Sequence, residues 1–172
     1  NWHCGSGQAA GADVDALVIK DAQGLPFVPG KTIKGLVREA LAYTLSQENK
    51  SKGMLTNICG VFKDKDNCTK GSAFFTDATL HEDEKNVIVK DNLAGFLYQS
   101  VSATAICNDG IAKDNSLRKT QTTVPCTLYG QIMNLEDDEA HEVERALMMI
   151  KRLGAGRTRG YGRCKISMEE KQ

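Results

Sequence analysis

Pro26 and Pro29 flank Phe27-Val28, and Gly30 comes directly after them. A proline fixes its own backbone angle and pushes the residue before it out of the helical region, so Leu25–Val28 is held extended and the chain must turn at Pro29-Gly30. Beyond the turn the spacing is helical. Over 31–46 the apolar positions are Ile33, Leu36, Val37, Ala40, Leu41 and Leu45, which predicts an amphipathic helix. Lys31, Lys34 and Arg38 fall at i, i+3 and i+7 on another stripe. Cations in a first turn oppose the helix dipole, and a docked external anion would remove that conflict. A solvated basic face is the alternative.

Upstream, Ala16–Lys20 is short, apolar and β-branched and reads as a strand, turned by Gln23-Gly24. Asp21 belongs to that turn. Asp13 and Asp15 lie two apart, so in an extended segment they share one face. Either carboxylate can bind Mg2+ or accept a proton, or can simply face water. Residues 1–12 read as a loop, with Gly5, Gly7 and Gly11 allowing close approach of the backbone to a ligand.

With 172 residues the chain fits a single domain, 1–172. Lys+Arg and Asp+Glu are balanced at 22 each, so a nucleic-acid partner must be argued from local clustering. No apolar run reaches the ~18 residues of a membrane span, and no secretory signal is visible. The chain starts at Asn1 rather than Met, which leads us to expect further residues upstream. Six cysteines without a repeated spacing read as free thiols. Cys59-x8-Cys68 is too wide for a zinc knuckle, although with Cys107 and Cys126 on neighbouring strands a four-thiolate Zn2+ site is conceivable.

Further along, 46–56 reads as a polar loop, and Ser72–Leu80, Asn86–Lys90, Gln99–Cys107 and Val124–Met133 read as strands. The expected core residues of the first are Ala73, Phe75 and Ala78. The segment 108–123 has no core periodicity and lies between two strands, so it is expected to project as a hairpin. A second helix is predicted over 136–153, opened by Glu136, Asp137, Asp138 and Glu139 and stopped by Gly154. Its core stripe is Val143, Ala146, Leu147, Ile150 and Leu153, and a last strand covers Cys164–Met168. This order suits an α+β sandwich with helices on one face of an antiparallel sheet.

The stretch 154–163 carries the clearest binding signal. Gly154, Gly156, Gly160 and Gly162 free the backbone, Arg157, Arg159 and Arg163 can clamp phosphates, and Tyr161 can stack on a base. It follows a helix and ends without Gly-Lys-Ser/Thr, which excludes a dinucleotide fingerprint and a P-loop.

Together these segments resemble the RAMP (repeat-associated mystery protein) superfamily of CRISPR-associated proteins, in particular the backbone subunits of type III effector complexes. His3-Cys4-Gly5-Ser6-Gly7 is similar to the family's His-x-Gly loop, and Asp15 to Asp21 to its Asp-x-x-x-x-Lys-Asp run. Leu25 to Arg38 is similar to its Leu-Pro-x-Ile-Pro-Gly-Ser-Ser-Ile-Lys-Gly-x-x-Arg signature. Cys59-Gly60 stands where Phe-Gly is usual, Phe75 to Ala78 resembles Phe-x-Asp-Ala, and Gly154–Arg163 resembles the C-terminal Gly-rich loop. The resemblance implies a modified ferredoxin-like (RRM-like) core whose first strand lies upstream of residue 1. It also implies a hairpin thumb at about 108–123, with Ile111, Leu117, Arg118 and Lys119, that interrupts a guide–target duplex.

His3, Gly5, Lys31, Lys34, Arg38 and the loop residues Gly156, Arg157, Arg159, Gly160, Tyr161 and Arg163 would then hold guide (CRISPR) RNA. Asp15, with Asp13 as runner-up, would cut target RNA with a divalent metal, Mg2+. Copies of the chain, related RAMP subunits and other effector proteins are the implied partners, in the cytoplasm and away from membranes. Two other roles stay open: a non-catalytic RNA-binding backbone subunit, and a guide-processing endoribonuclease using His3.

Overall fold

The computed structural model describes residues 1–11, 13–47, 52–62 and 68–169. In chain order the elements are α1 (Gly30–Gln47), α2 (Lys52–Cys59), β1 (Val61–Phe62), β2 (Cys68–Thr69), β3 (Phe74–Phe75), α3 (Glu82–Lys90), β4 (Tyr98–Ala103), β5 (Arg118–Thr123), β6 (Ile132–Met133) and α4 (Asp137–Met149). Short 3-10 turns lie at Ala94–Leu97 and Arg157–Arg159. The strands form three antiparallel pairs, β1–β2, β3–β6 and β4–β5, extended by isolated bridges. The chain gathers into two compact units.

One unit comprises Val28–Thr79, Tyr129–Arg152 and Cys164–Gln172. Its core joins Val37 and Leu41 of α1, Ile58 and Cys59 of α2, Ala73, Phe75, and Val143, Ala146 and Leu147 of α4. Val37, Ile58 and Val143 are wholly buried, each worth about 1.5–3 kcal/mol of transfer free energy. The expected stripe of α1 forms this core, with Ile33, Leu36 and Ala40 half-buried at its margin. Burial raises the Cys59 thiol above its ordinary value, and Lys34 and Arg38 pull it partly back.

Three expectations fail in this unit. The polar loop at 46–56 is instead the end of α1 and, from Lys52, helix α2, with 48–51 outside the described residues. Met54, Leu55 and Ile58 supply an apolar face that the surrounding polar residues hide from a periodicity count. Helix α4 stops at Met149 rather than near Gly154, because Ile150 turns extended (φ −76, ψ 102) to enter the core. Lys151 then accepts a backbone bond from Cys164 (3.0 Å), and Cys164–Met168 packs beside the core without forming a strand. At the front of α4, Glu139 accepts the backbone N–H of Glu136 (3.3 Å), as an acidic first turn should.

The other unit comprises Asn1–Phe27, Leu80–Leu128 and Leu153–Arg163. Hairpin β4–β5 is its frame. Of the expected loop at 1–12, residues 1–11 are described and largely paired: Trp2 exchanges both backbone bonds with Thr123 (3.0 and 2.7 Å), and Ser6, Gln8 and Cys4 bond along 17–19. The Ala16–Lys20 segment is extended as expected, bridged to β5 at Ala16–Thr120 and to Gly5 at Val18. The predicted strand at Asn86–Lys90 is the second half of α3. Val87, Ile88 and Val89 favour a strand, but His81 caps the helix by accepting from Asp83 N–H, and Glu82, Asp83 and Glu84 fill its first turn.

The projecting segment differs too. Arg118–Thr123 is strand β5, in register with β4 from Tyr98–Thr123 to Ala103–Arg118, so the tip is 104–117. Thr122 and Thr123, on opposite faces of the strand, are both buried, which gives this polar run a strand role without an apolar pattern. Val124–Met133 keeps only β6 as a strand, paired with β3. Of Ser72–Leu80, only Phe74–Phe75 forms a ladder, with bridges at Ala78 and Thr79.

Candidate nucleic-acid interface

His3 joins the parts of the site in the hairpin unit. Its carbonyl accepts the N–H of Ala155 (2.8 Å), and the carbonyl of Asn1 accepts that of Gly162 (2.9 Å), so residues 1–3 carry the Gly/Arg loop. The loop closes at its neck through Leu153 N–H to Gly162 carbonyl (2.9 Å). Gly154 (φ +76) and Gly162 (φ +69) are required there: a methyl on either would run into the carbonyl oxygen of His3 or Leu153. Arg157, Arg159 and Arg163 are exposed around the loop. Tyr161 is half-buried with its ring packed against Gly156, so it props the loop rather than standing out as a stacking platform.

His3 is 6% exposed, and its Nδ1 lies 2.6 Å from the carbonyl oxygen of Gln121 on β5. A carbonyl can only accept, so Nδ1 carries a proton. Gln121 also donates its N–H to Ala16 (2.9 Å) and accepts the Val18 N–H on its side chain (3.4 Å). One residue of β5 therefore fixes both His3 and the segment that bears Asp15.

Asp15 is exposed and tied to β5 twice. Its N–H reaches the Lys119 carbonyl (2.9 Å), and its Oδ2 accepts the Lys119 N–H (2.7 Å). Asp13 is also exposed, in a tight turn where its N–H bonds Ala10 (3.1 Å). Asp21 caps its turn as expected, accepting from Gln23 and Leu25 (both 2.9 Å). Tyr98 clamps that turn through its hydroxyl to Gly24 (2.6 Å) while Lys20 lies 3.9 Å over its ring. Burial, with help from Asp21, pushes the Tyr98 hydroxyl above its ordinary value, so it stays a donor. Between His3 and Asp15 lies an open cavity of ≈ 310 Å³, lined also by Gly5, Gly7, Gln8, Ala9, Ala16 and Leu17.

At the hairpin tip, Asn108-Asp109-Gly110 turns the chain, with Gly110 at φ +82 and Asp109 accepting from Ile111 (3.1 Å). Ile106, Ile111 and Leu117 stand 70, 65 and 61% exposed, so the hairpin tip carries apolar side chains. Arg118 and Lys119 open β5, exposed.

In the helical unit, Lys31 is exposed at the start of α1, but the helix already has its anion. The Gly30 N–H donates to Asp77 Oδ1 at 2.7 Å. This resolves the clash between first-turn cations and the helix dipole from within, where an external anion was expected. Lys34 lies 6.0 Å from the Phe75 ring centre, and Arg38 spends one guanidinium N–H on the Gly60 carbonyl (2.6 Å) at the end of α2. Sequence reasoning missed two residues. Asp77 was visible inside Phe-x-Asp-Ala, but only its partner reveals it as a cap, and Gln121 sits in a polar run with no signal at all.

Among the described residues, no group of three or more His, Cys, Asp or Glu side chains gathers to hold a metal. Of the four cysteines considered for zinc, Cys59 is buried while Cys68, Cys107 and Cys126 are exposed. A lone exposed carboxylate such as Asp15 still fits Mg2+, a hard ion that commonly takes one or two carboxylates with substrate phosphates and water.

These units define an α+β protein with a projecting hairpin and a glycine-rich loop seated on its first residues, the modified ferredoxin-like class. The sequence profile of the RAMP superfamily matches residues 1–165, and the chain belongs to that family. No curated protein matches it closely in sequence. Solved structures share its fold. A chain in "Cryo-EM structure of the Type III-B Cmr-beta bound to cognate target RNA" superposes with a TM-score of 0.70 at 12% identity, covering 96% of this chain and 92% of that one. A chain in "Type III-B Cmr-beta Cryo-EM structure of the Apo state" gives 0.64 at 13% identity, with 95% and 92% covered. Among the described residues no helix is long and apolar enough to cross a membrane.

Proposed function

We propose that this protein is a guide-RNA-binding backbone subunit of a type III CRISPR effector complex and that Asp15 cleaves the paired target RNA. The observation that carries this reading is the double use of His3, whose carbonyl seats the Gly/Arg loop while its ring lines the cavity shared with Asp15. Arg157, Arg159 and Arg163 hold guide phosphates, and the apolar hairpin tip separates stacked nucleotides. The resemblance in fold to a complex bound to target RNA supports the assignment. Copies of the chain and other effector proteins, working in the cytoplasm, complete the assembly.

In the cleavage step a ribose 2′-oxygen attacks the adjacent phosphorus, the bond from phosphorus to the 5′-oxygen breaks, and a 2′,3′-cyclic phosphate remains. Asp15 takes the hydroxyl proton or would hold a divalent ion arriving with the RNA, and the departing 5′-oxygen takes a proton from water. Such an ion supplies neutralisation of the charge on the phosphate. Asp13 is the alternative carboxylate, and Lys34, with Lys31 and Arg38, provides further cationic surface on α1.

One observation favours a second reading, in which the subunit binds RNA without cutting. Asp15 Oδ2 already accepts the Lys119 N–H, a bond that serves the β5 pairing by itself. The test is a reconstituted complex carrying Asp15→Ala, incubated with complementary RNA and Mg2+. Loss of cutting with guide binding retained supports the first reading. Cutting at every site with Asp15→Ala overturns the assignment, and an uncut target with the wild-type protein selects the second.

A further inference from the structure

The cavity between His3 and Asp15 has a chemistry that the phosphate-binding loop does not share. None of its lining residues is a lysine or arginine. His3 is more than nine-tenths buried, and its Nδ1 proton is engaged by the Gln121 carbonyl. In the neutral ring Nε2 is then an acceptor only, and it forms no hydrogen bond among the described residues. It faces Gly5, where a methyl would sit 3.1 Å from it, so the glycine leaves the atom open to the cavity. The other polar side chains of the lining are Gln8, whose amide can donate or accept, and the Asp15 carboxylate, whose Oδ2 accepts the Lys119 N–H. A buried acceptor facing a cavity with no cation in its lining suits a neutral hydrogen-bond donor such as a hydroxyl.

We infer that His3 is a specificity residue that accepts a hydrogen bond from a ribose 2′-hydroxyl, so that this cavity, rather than the arginine loop, distinguishes RNA from DNA. The inference rests on the proposed RNA-binding function. The 2′-hydroxyl is the donor that DNA lacks. A neutral hydrogen bond of this kind changes affinity about three- to tenfold.

The test uses the full chain with one short single-stranded RNA and the same strand fluorinated at every 2′ position. Fluorine keeps the RNA-like sugar pucker but cannot donate. Wild-type protein is expected to bind the RNA about three- to tenfold more tightly than its fluorinated counterpart. His3→Phe removes the acceptor, and Gly5→Ala keeps the imidazole while setting a methyl against Nε2. Both are expected to close the gap between the two strands. Equal binding of the two strands by wild-type protein, or a gap that survives in Gly5→Ala, overturns this inference alone. Failure to bind either strand overturns the RNA-binding reading with it.

Discussion

Removing the carboxylate of Asp77 tests whether helix α1 is completed from within. The bond from Gly30 N–H to Asp77 Oδ1 is 2.7 Å, in the short range of charge-assisted bonds. It sits on a first turn that holds Lys31 and no acidic residue. Loss of an N-terminal cap costs about 1 kcal/mol. Loss of the negative charge facing the dipole adds roughly 0.3–1 kcal/mol, taken at the lower end because Asp77 is solvent-exposed. Asp77→Ala is therefore expected to cost about 1.5 kcal/mol and to lower Tm by roughly 3–6 °C in a chain of this length. Asp77→Asn keeps an acceptor and loses only the charge, so its drop should be about a third as large. Calorimetric melts of the three proteins measure both effects. Guide-RNA titrations add a second readout, because Asp77→Asn also removes a negative charge from the Lys31 and Lys34 surface and should leave affinity equal or slightly higher. An unchanged Tm in Asp77→Ala would refute the cap, and a fall in RNA affinity with Asp77→Asn would refute its place as the helix's own anion.

Arg159→Ala should weaken RNA binding and lower the salt slope of log affinity by about one phosphate contact; a slope equal to wild type removes Arg159 from the interface. Gly162→Ala should cost about 2 kcal/mol or more, since the left-handed backbone alone accounts for about 1–2 kcal/mol and the new methyl meets the Leu153 carbonyl. A melt matching wild type would show that the loop neck is not held this way. Exposed Cys68 and Cys107 should react rapidly with a thiol reagent at neutral pH, whereas Cys59, buried and raised in pKa, should react slowly. Mass spectrometry after brief labelling reads the order, and labelling of Cys59 first would contradict its burial.

The parts legible in the sequence were those with a period or a fixed torsion. Pro26, Pro29 and the stripe Val37, Leu41, Leu45 placed α1 almost to the residue. Asp21 was recognisable as a turn residue because the Asp-Ala-Gln-Gly pattern needs only local bonds. Elsewhere local and tertiary signals disagreed. Val87-Ile88-Val89 has strand propensity, yet a cap and an acidic turn set before it make a helix with little burial. Thr120 to Thr123 has no apolar alternation, yet it forms the central strand of the hairpin unit because two buried threonines and the backbone of residues 2 and 16 complete it. His3 was singled out by the likeness of His3-Cys4-Gly5 to a family loop, not by anything its own surroundings in sequence show. Its Nδ1 bond depends on Gln121, far away in sequence, and no spacing rule connects the two.

Ultraviolet crosslinking of the guide-loaded protein, with mapping of the crosslinked peptides, tests the central claim most directly. The account predicts crosslinks in residues 1–8 and in the 154–163 loop, where His3 joins the cavity to the arginines. Guide RNA crosslinked only to other surfaces, such as α3 or α4, would contradict it.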